Sequence, residues 1–173
     1  NGLKRPLKTS QVLLKEKKVL KSLLIENKEG INMNDKSSNP VAIITGGSRG
    51  VGAATARLLA SKGWNITITC TSSMEDAESV VKECEALGVE ALALSADVSD
   101  DAACKKTSED TIEKWGRIDA LVNNAGTTKF VFNHGDLEGL DAEDFLHIYK
   151  VNVVGPFQIE RACKETLLKS DNA

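Results

Sequence analysis

Four consecutive apolar residues, Val41-Ala42-Ile43-Ile44, run straight into Thr45-Gly46-Gly47-Ser48-Arg49-Gly50-Val51-Gly52. A short, uninterrupted apolar run suits a strand buried on both faces, as in a parallel sheet. A turn holding four glycines lets the chain take a tight, partly left-handed path before a helix begins. From Pro40 onward similar apolar runs alternate with longer amphipathic stretches, the pattern of repeated strand–helix–strand units around a parallel sheet. The first helix is expected to run to about Lys62 and close at Gly63, and residues 66–69, rich in β-branched side chains, form the second strand. Ser72 with Glu75 three residues on predicts a capping box for a helix ending at Gly88. Residues 91–95 make the third strand, Ser99 caps a helix that reaches Trp115 and stops at Gly116, and residues 118–122 make the fourth strand. Residues 141–168 are helical in composition. Within them Gly155-Pro156 removes a donor and is expected to break or kink the backbone just after Asn152.

Charge separates two regions. Residues 1–32 hold eight Lys/Arg and three Asp/Glu, which leaves fourteen basic against twenty-two acidic residues in 33–173. The acidic body argues against a nucleic-acid surface, because phosphate binding needs clustered cations on the folded face. The leader 1–32 carries Leu13, Leu20 and Leu24 at helical spacing but only one arginine, so it fits a targeting presequence poorly; it is expected to lie outside the fold, with 33–173 as an incomplete nucleotide-binding domain. Cys70, Cys84, Cys104 and Cys163 form no C-x-x-C pair, and neither His134 nor His147 has a partner at ligand spacing, so no metal site is expected. No stretch approaches the roughly 20 apolar residues of a membrane span, and a cytoplasmic location is expected.

The glycine-rich turn carries the chemistry. At a helix N-terminus, unpaired N–H groups and the positive end of the dipole face outward, and bare backbone lets phosphate oxygens approach. Such a turn suits a pyrophosphate. It is not G-x-G-x-x-G, because the third glycine position after Gly50 is Thr55, and it is not a P-loop, because no G-K-[ST] ends it.

The spacing T-G-x-x-x-G-x-G, from Thr45 to Gly52, resembles that of the short-chain dehydrogenases/reductases, of the 3-oxoacyl-carrier-protein-reductase-like type. Three further stretches match that family in order: Asp97-Val98, Asn123-Asn124-Ala125-Gly126, and Val151-Asn152-Val153-Val154-Gly155. The resemblance covers about residues 38–170 and implies an α/β fold, a Rossmann-like doubly wound parallel sheet of which about the first four strands are present. Ligands of such sheets sit beyond the carboxyl ends of the strands near the switch point. By resemblance, Thr45, Gly46, Ser48, Arg49, Gly50, Val51 and Gly52 cradle the cofactor, Asp97 bonds the adenine amino group with Val98 beside the ring, and Asn123, Ala125 and Gly126 lie against its middle. The alternative for Asp97 is a turn or capping carboxylate, and Asn123 can also serve as a turn asparagine bracing the strand ends.

Charge bears on the choice of cofactor. An acidic residue after the second strand would hold both ribose hydroxyls of NAD and repel a 2′-phosphate. Here the strand runs out into Cys70-Thr71-Ser72-Ser73, with no acid before Glu75, while Arg49 offers a cation with planar donors. NADP(H) is therefore favoured over NAD(H), with Arg49 and Thr71 at its phosphate.

The resemblance implies hydride transfer between nicotinamide and a small-molecule carbonyl or alcohol, with a tyrosine as general acid/base, a lysine four residues on, a serine, and a helix asparagine matching Asn152. The chain's one tyrosine, Tyr149, is followed at that spacing by Val153, so Y-x-x-x-K is absent. The serine and the later strands are expected beyond Ala173, and the chain alone is expected to be marginally stable and inactive. A non-catalytic NADP(H)-binding sensor or scaffold is the alternative. Phe130, Phe132 and His134 follow the cofactor turn and either meet the substrate or pack their own loop. The resemblance also implies a homo-oligomer through the long helix 141–168.

Overall fold

The computed structural model describes residues 39–133 and 135–170, so the leader and His134 lie outside the described residues. The order is β1 (Val41–Ile44), α1 (Gly50–Ala60), β2 (Asn65–Cys70), α2 (Met74–Ala86), β3 (Ala91–Ser95), α3 (Asp101–Trp115) and β4 (Ala120–Val122). A 3-10 turn (Leu137–Gly139), α4 (Ala142–Tyr149), a π-helical turn (Lys150–Val154) and α5 (Gly155–Leu167) follow. The four strands form one sheet in the order β3-β2-β1-β4. All pairings are parallel, with Ile44 opposite Ile68 on one side and Val122 on the other. The chain builds outward from β1 to β3 and then crosses back to place β4 on the other flank of β1. That reversal opens a crevice beyond the carboxyl ends of β1 and β4.

The apolar run of β1 is uninterrupted because both of its faces are covered. Ala42 and Ile44 pack with Ala53, Ala56, Ile68 and Val80 under α1 and α2. Ile43 points the other way, into a cluster with Val98, Cys104, Ile118, Ile159 and Cys163 under α3 and α5. Ile43, Ile44, Ile66, Ile68 and Ile118 have no exposed surface, and each such side chain contributes about 1.5–3 kcal/mol of burial. β2 alternates instead: Asn65, Thr67 and Thr69 are buried polar residues. Thr67 Oγ1 lies 3.0 Å from Thr111 Oγ1 on α3, and Asn65 Oδ1 accepts from Glu90 N–H, so the polar side of the strand is satisfied within the core.

At the amino ends of the strands Asp119 is the organising group. Its buried carboxylate accepts from Val41 N–H at 2.8 Å, from Arg117 through two donors at 2.7 Å, and from Ser170 Oγ at 2.6 Å. Burial alone would raise its pKa, but the hydrogen bonds from Arg117, Ser170 and Val41 prevail and hold it below the ordinary carboxylate value.

Several local expectations are corrected. α2 begins after Ser73, whose side chain makes no cap bond, so the Ser72–Glu75 capping box does not form. The cap of α3 is Asp100, which accepts from Ala102 N–H, in place of Ser99. Ser99 N–H is instead held by Asp97 Oδ1 at 2.8 Å. The ladder of the fourth strand is shorter than 118–122: it covers Ala120–Val122, with Asp119 N–H donating to Val41 C=O at 2.8 Å just ahead of it. Gly155-Pro156 does not break the helix. The backbone stays right-handed and widens into the π turn, where Gly155 N–H reaches Lys150 C=O, and Pro156 falls in the first turn of α5. A single widened turn absorbs the missing donor at lower cost than a broken helix.

Candidate cofactor-binding site

The turn after β1 is locked before any ligand arrives. Gly47 N–H donates to Thr69 C=O at 2.9 Å and Thr45 N–H to Val122 C=O at 3.0 Å, which stitches the turn between the ends of β2 and β4. The buried Thr45 hydroxyl accepts from Asn124 N–H and Ala125 N–H, both at 3.0 Å. Asn124 Nδ2 returns across the gap to Thr45 C=O at 2.9 Å and Gly46 C=O at 3.0 Å. Two of the turn's glycines are required by the interlock itself. Gly46 has φ +65°, and a Cβ on Gly52 would come within 2.5 Å of both Asn124 Nδ2 and Gly46 O.

Beyond this rim lies a cavity of about 510 Å³. Of the residues named from sequence, Gly46, Ser48, Arg49, Thr71, Asp97, Val98, Ala125 and Gly126 line it. Thr45, Gly50, Val51, Gly52, Asn123 and Asn152 stand off its wall. Thr45 and Gly52 are the braces just described, Val51 is three-quarters exposed, and Asn123 is exposed. The sequence reading singled out Asn123 and passed over Asn124, which both lines the cavity and ties the β1 turn to β4. Two adjacent asparagines carry no local signal as to which faces inward. Ser73, His147 and Val151 are further wall residues that sequence reasoning did not assign.

Arg49 and Ser73 meet on that wall, with Arg49 Nη2 donating to Ser73 Oγ at 2.5 Å. The hydroxyl that would have capped α2 instead orients a guanidinium over the end of β2. Burial pushes the Cys70 thiol up, so at neutral pH this wall residue is a neutral group and no nucleophile.

Asn152 sits in the π turn and clasps the backbone of Thr127: its Oδ1 accepts from Thr127 N–H at 2.8 Å and its Nδ2 donates to Thr127 C=O at 2.9 Å. The clasp holds Thr127, itself on the cavity wall, against the helix. Pro156 has no N–H to give to the carbonyls of the preceding turn, which leaves acceptor capacity beside Asn152. Tyr149 is more than half exposed and does not line the cavity. Phe130 and Phe132 are exposed and contact each other edge to face at 4.9 Å, so they do not pack the interior of their loop. Among the described residues no cluster of three His, Cys, Asp or Glu side chains could hold a metal, and no helix is long and apolar enough to cross a membrane.

The site therefore offers bare backbone beside a helix N-terminus, a cation at one end, and the carboxylate and side chain of Asp97-Val98 between. These groups fit a dinucleotide phosphate, ribose and base.

The family model described as short chain dehydrogenase matches residues 40–173. Versicolorin reductase 1 of Aspergillus parasiticus is 35% identical over 128 residues, which are 74% of this chain and 47% of that protein. An alcohol dehydrogenase from the archaeon Thermococcus sibiricus, solved in complex with 5-hydroxy-NADP, is 33% identical with a TM-score of 0.68, over 75% of this chain and 54% of that one. A 3-oxoacyl-[acyl-carrier protein] reductase from Brucella melitensis, solved in complex with NAD, is 34% identical with a TM-score of 0.68, over 79% of this chain and 52% of that one. The chain spans about half the length of the relatives it matches. With the parallel sheet, the glycine-rich turn and the ordered motifs, the match identifies this chain as a member of the short-chain dehydrogenase/reductase family.

Proposed function

We propose that the full-length protein is an NADP(H)-dependent oxidoreductase that transfers a hydride between nicotinamide and the carbonyl or alcohol carbon of a small-molecule substrate. The observation that carries the cofactor choice is the Arg49–Ser73 pair on the cavity wall, beside a β2 end where no acid precedes Glu75. A guanidinium held by a hydroxyl suits a 2′-phosphate with charge-assisted bonds. A carboxylate at that place would repel it.

In this reading Gly46 and Ser48 meet the phosphates while Thr45, Gly50, Val51 and Gly52 shape the turn. Arg49 and Thr71 take the 2′-phosphate, Asp97 and Val98 hold the base, and Ala125 and Gly126 run along the cofactor's middle, with Asn123 in the turn before them. The bound cofactor supplies or accepts the hydride. Asn152 belongs to the proton relay: its amide is spent on Thr127, and the widened turn leaves backbone acceptors there for a water. The family's serine and Tyr-x-x-x-Lys are assigned to the remaining half of a full-length protein. The exposed Phe145, Tyr149, Val153 and Phe157, four residues apart along α4, the π turn and α5, support a homo-oligomer, and the acidic body suits a cytoplasmic enzyme that does not bind nucleic acid.

Calorimetry on the full-length protein tests the cofactor, with NADPH expected to bind at least about tenfold more tightly than NADH, a difference of about 1.4 kcal/mol. Equal affinities would refute the preference. NADPH oxidation assayed over a panel of ketones and aldehydes tests the reaction, and tight binding without turnover would favour the sensor.

A further inference from the structure

One wall residue of the cofactor cavity has no task in the reading above, on which this inference rests. His147 lines the cavity from α4. Its backbone C=O accepts from Lys150 N–H, but its ring makes no hydrogen bond or ion pair with the described residues. His147, Val151 and Gly155 recur at four-residue spacing through α4, the π turn and the start of α5, and so form one ridge.

The ridge is anchored at its inner end. Gly155 sits so close to Val98 that a Cβ would fall 2.7 Å from Val98 Cγ2. Val151 is buried in the same cluster as Val98, and both also line the cavity. His147 stands one turn further out, above this apolar end. Its helix is held in place by the reciprocal Asp141–Asp144 capping box, by the Lys129–Asp144 ion pair and by the Asn152 clasp on Thr127. An aromatic ring carried on a braced helix beside an apolar floor, with no polar partner among the described residues, is suited to packing against a flat heteroaromatic face.

We propose that His147 packs its imidazole ring against the adenine of the bound dinucleotide and completes, with Val98 and Val151, the pocket for the base. The helix that carries the ring is already held in place, so the contact needs little more than the setting of one side-chain rotamer.

Titration of the full-length protein with NADPH and with adenosine 2′,5′-bisphosphate tests this. His147→Ala should weaken both ligands by the same factor, about fivefold or more, whereas His147→Phe, which keeps an aromatic face, should stay within about twofold of the native protein. His147 is exposed, so neither change removes core packing. Native affinity in His147→Ala, an equal loss in His147→Phe, or a loss confined to NADPH would each overturn the proposal. If the native protein binds neither ligand, the cofactor reading itself falls. If it binds both and His147→Ala is silent, only the role of His147 falls.

Discussion

The two ends of the sheet solve different problems with different chemistry. At the carboxyl ends the chain crosses itself with small residues and neutral amides: Thr45, Gly46, Gly52 and Asn124 interlock through backbone groups and leave a cavity open beside them. At the amino ends one buried carboxylate, Asp119, gathers Val41, Arg117 and Ser170 and ties β1 to the residues after α5. A charged hub at the carboxyl ends would repel or compete for a phosphate ligand, while at the amino ends it does only structural work. Substitutions at the amino ends should therefore change stability alone, whereas those at the interlock should change stability and binding together.

The largest effect is expected at the interlock. Gly52→Val places carbon where 2.5 Å already separates a bare Cβ from two polar atoms, so it should cost about 3 kcal/mol of unfolding free energy and abolish cofactor binding. A urea midpoint within error of the native protein would show that the rim yields, and the contrast between the two ends would collapse. Next comes Asp119→Asn, expected to cost about 2 kcal/mol at pH 7 with cofactor affinity unchanged. The sign follows from the depressed pKa. The Asp119 contribution is present above the unfolded carboxylate value of about 4 and is lost as pH falls through the lower folded value. Urea midpoints of native and Asp119→Asn proteins should therefore differ at pH 7 and converge toward pH 3; a gap that persists in acid would mean that shape, not charge, is what Asp119 provides. The smallest effect is the most selective. Arg49→Ala should weaken NADPH about tenfold, leave NADH within about twofold and leave the urea midpoint unmoved, because the Arg49 side chain is exposed and its partner among the described residues is the Ser73 hydroxyl. Equal loss of both dinucleotides would move Arg49 from the 2′-phosphate to the shared pyrophosphate.

Much of the fold was readable in advance because it is written in contiguous residues. The four strands, the glycine stops at Gly63, Gly88 and Gly116, and the helix between each pair of strands follow from periodicity and turn chemistry. The misses share a cause. Ser72 and Ser99 satisfied a local capping rule, but neither supplies a cap: Asp100 caps α3 in place of Ser99, and α2 starts after Ser73, whose hydroxyl accepts from Arg49, twenty-four residues away, and makes no cap bond. At 118–122 the pattern predicted a full strand, yet the ladder began at Ala120, with the Asp119 carboxylate committed to Val41, Arg117 and Ser170 just ahead of it. The site divides the same way, since the glycines and Asp97-Val98 announced themselves by spacing, whereas Ser73, Asn124 and His147 did not.

What the sequence determined by itself was the order of elements, the parallel sheet they imply, and the turn where backbone faces a ligand. Each depends on residues within one or two turns of one another. Only the tertiary structure decided which asparagine braces the rim, that Gly155-Pro156 widens the helix instead of breaking it, and which imidazole borders the cavity. Those outcomes depend on contacts between residues far apart in the chain, such as Thr45 with Asn124 and Gly155 with Val98. Contacts of that kind exist only once the strands have fixed their register and the helices have closed on both faces of the sheet.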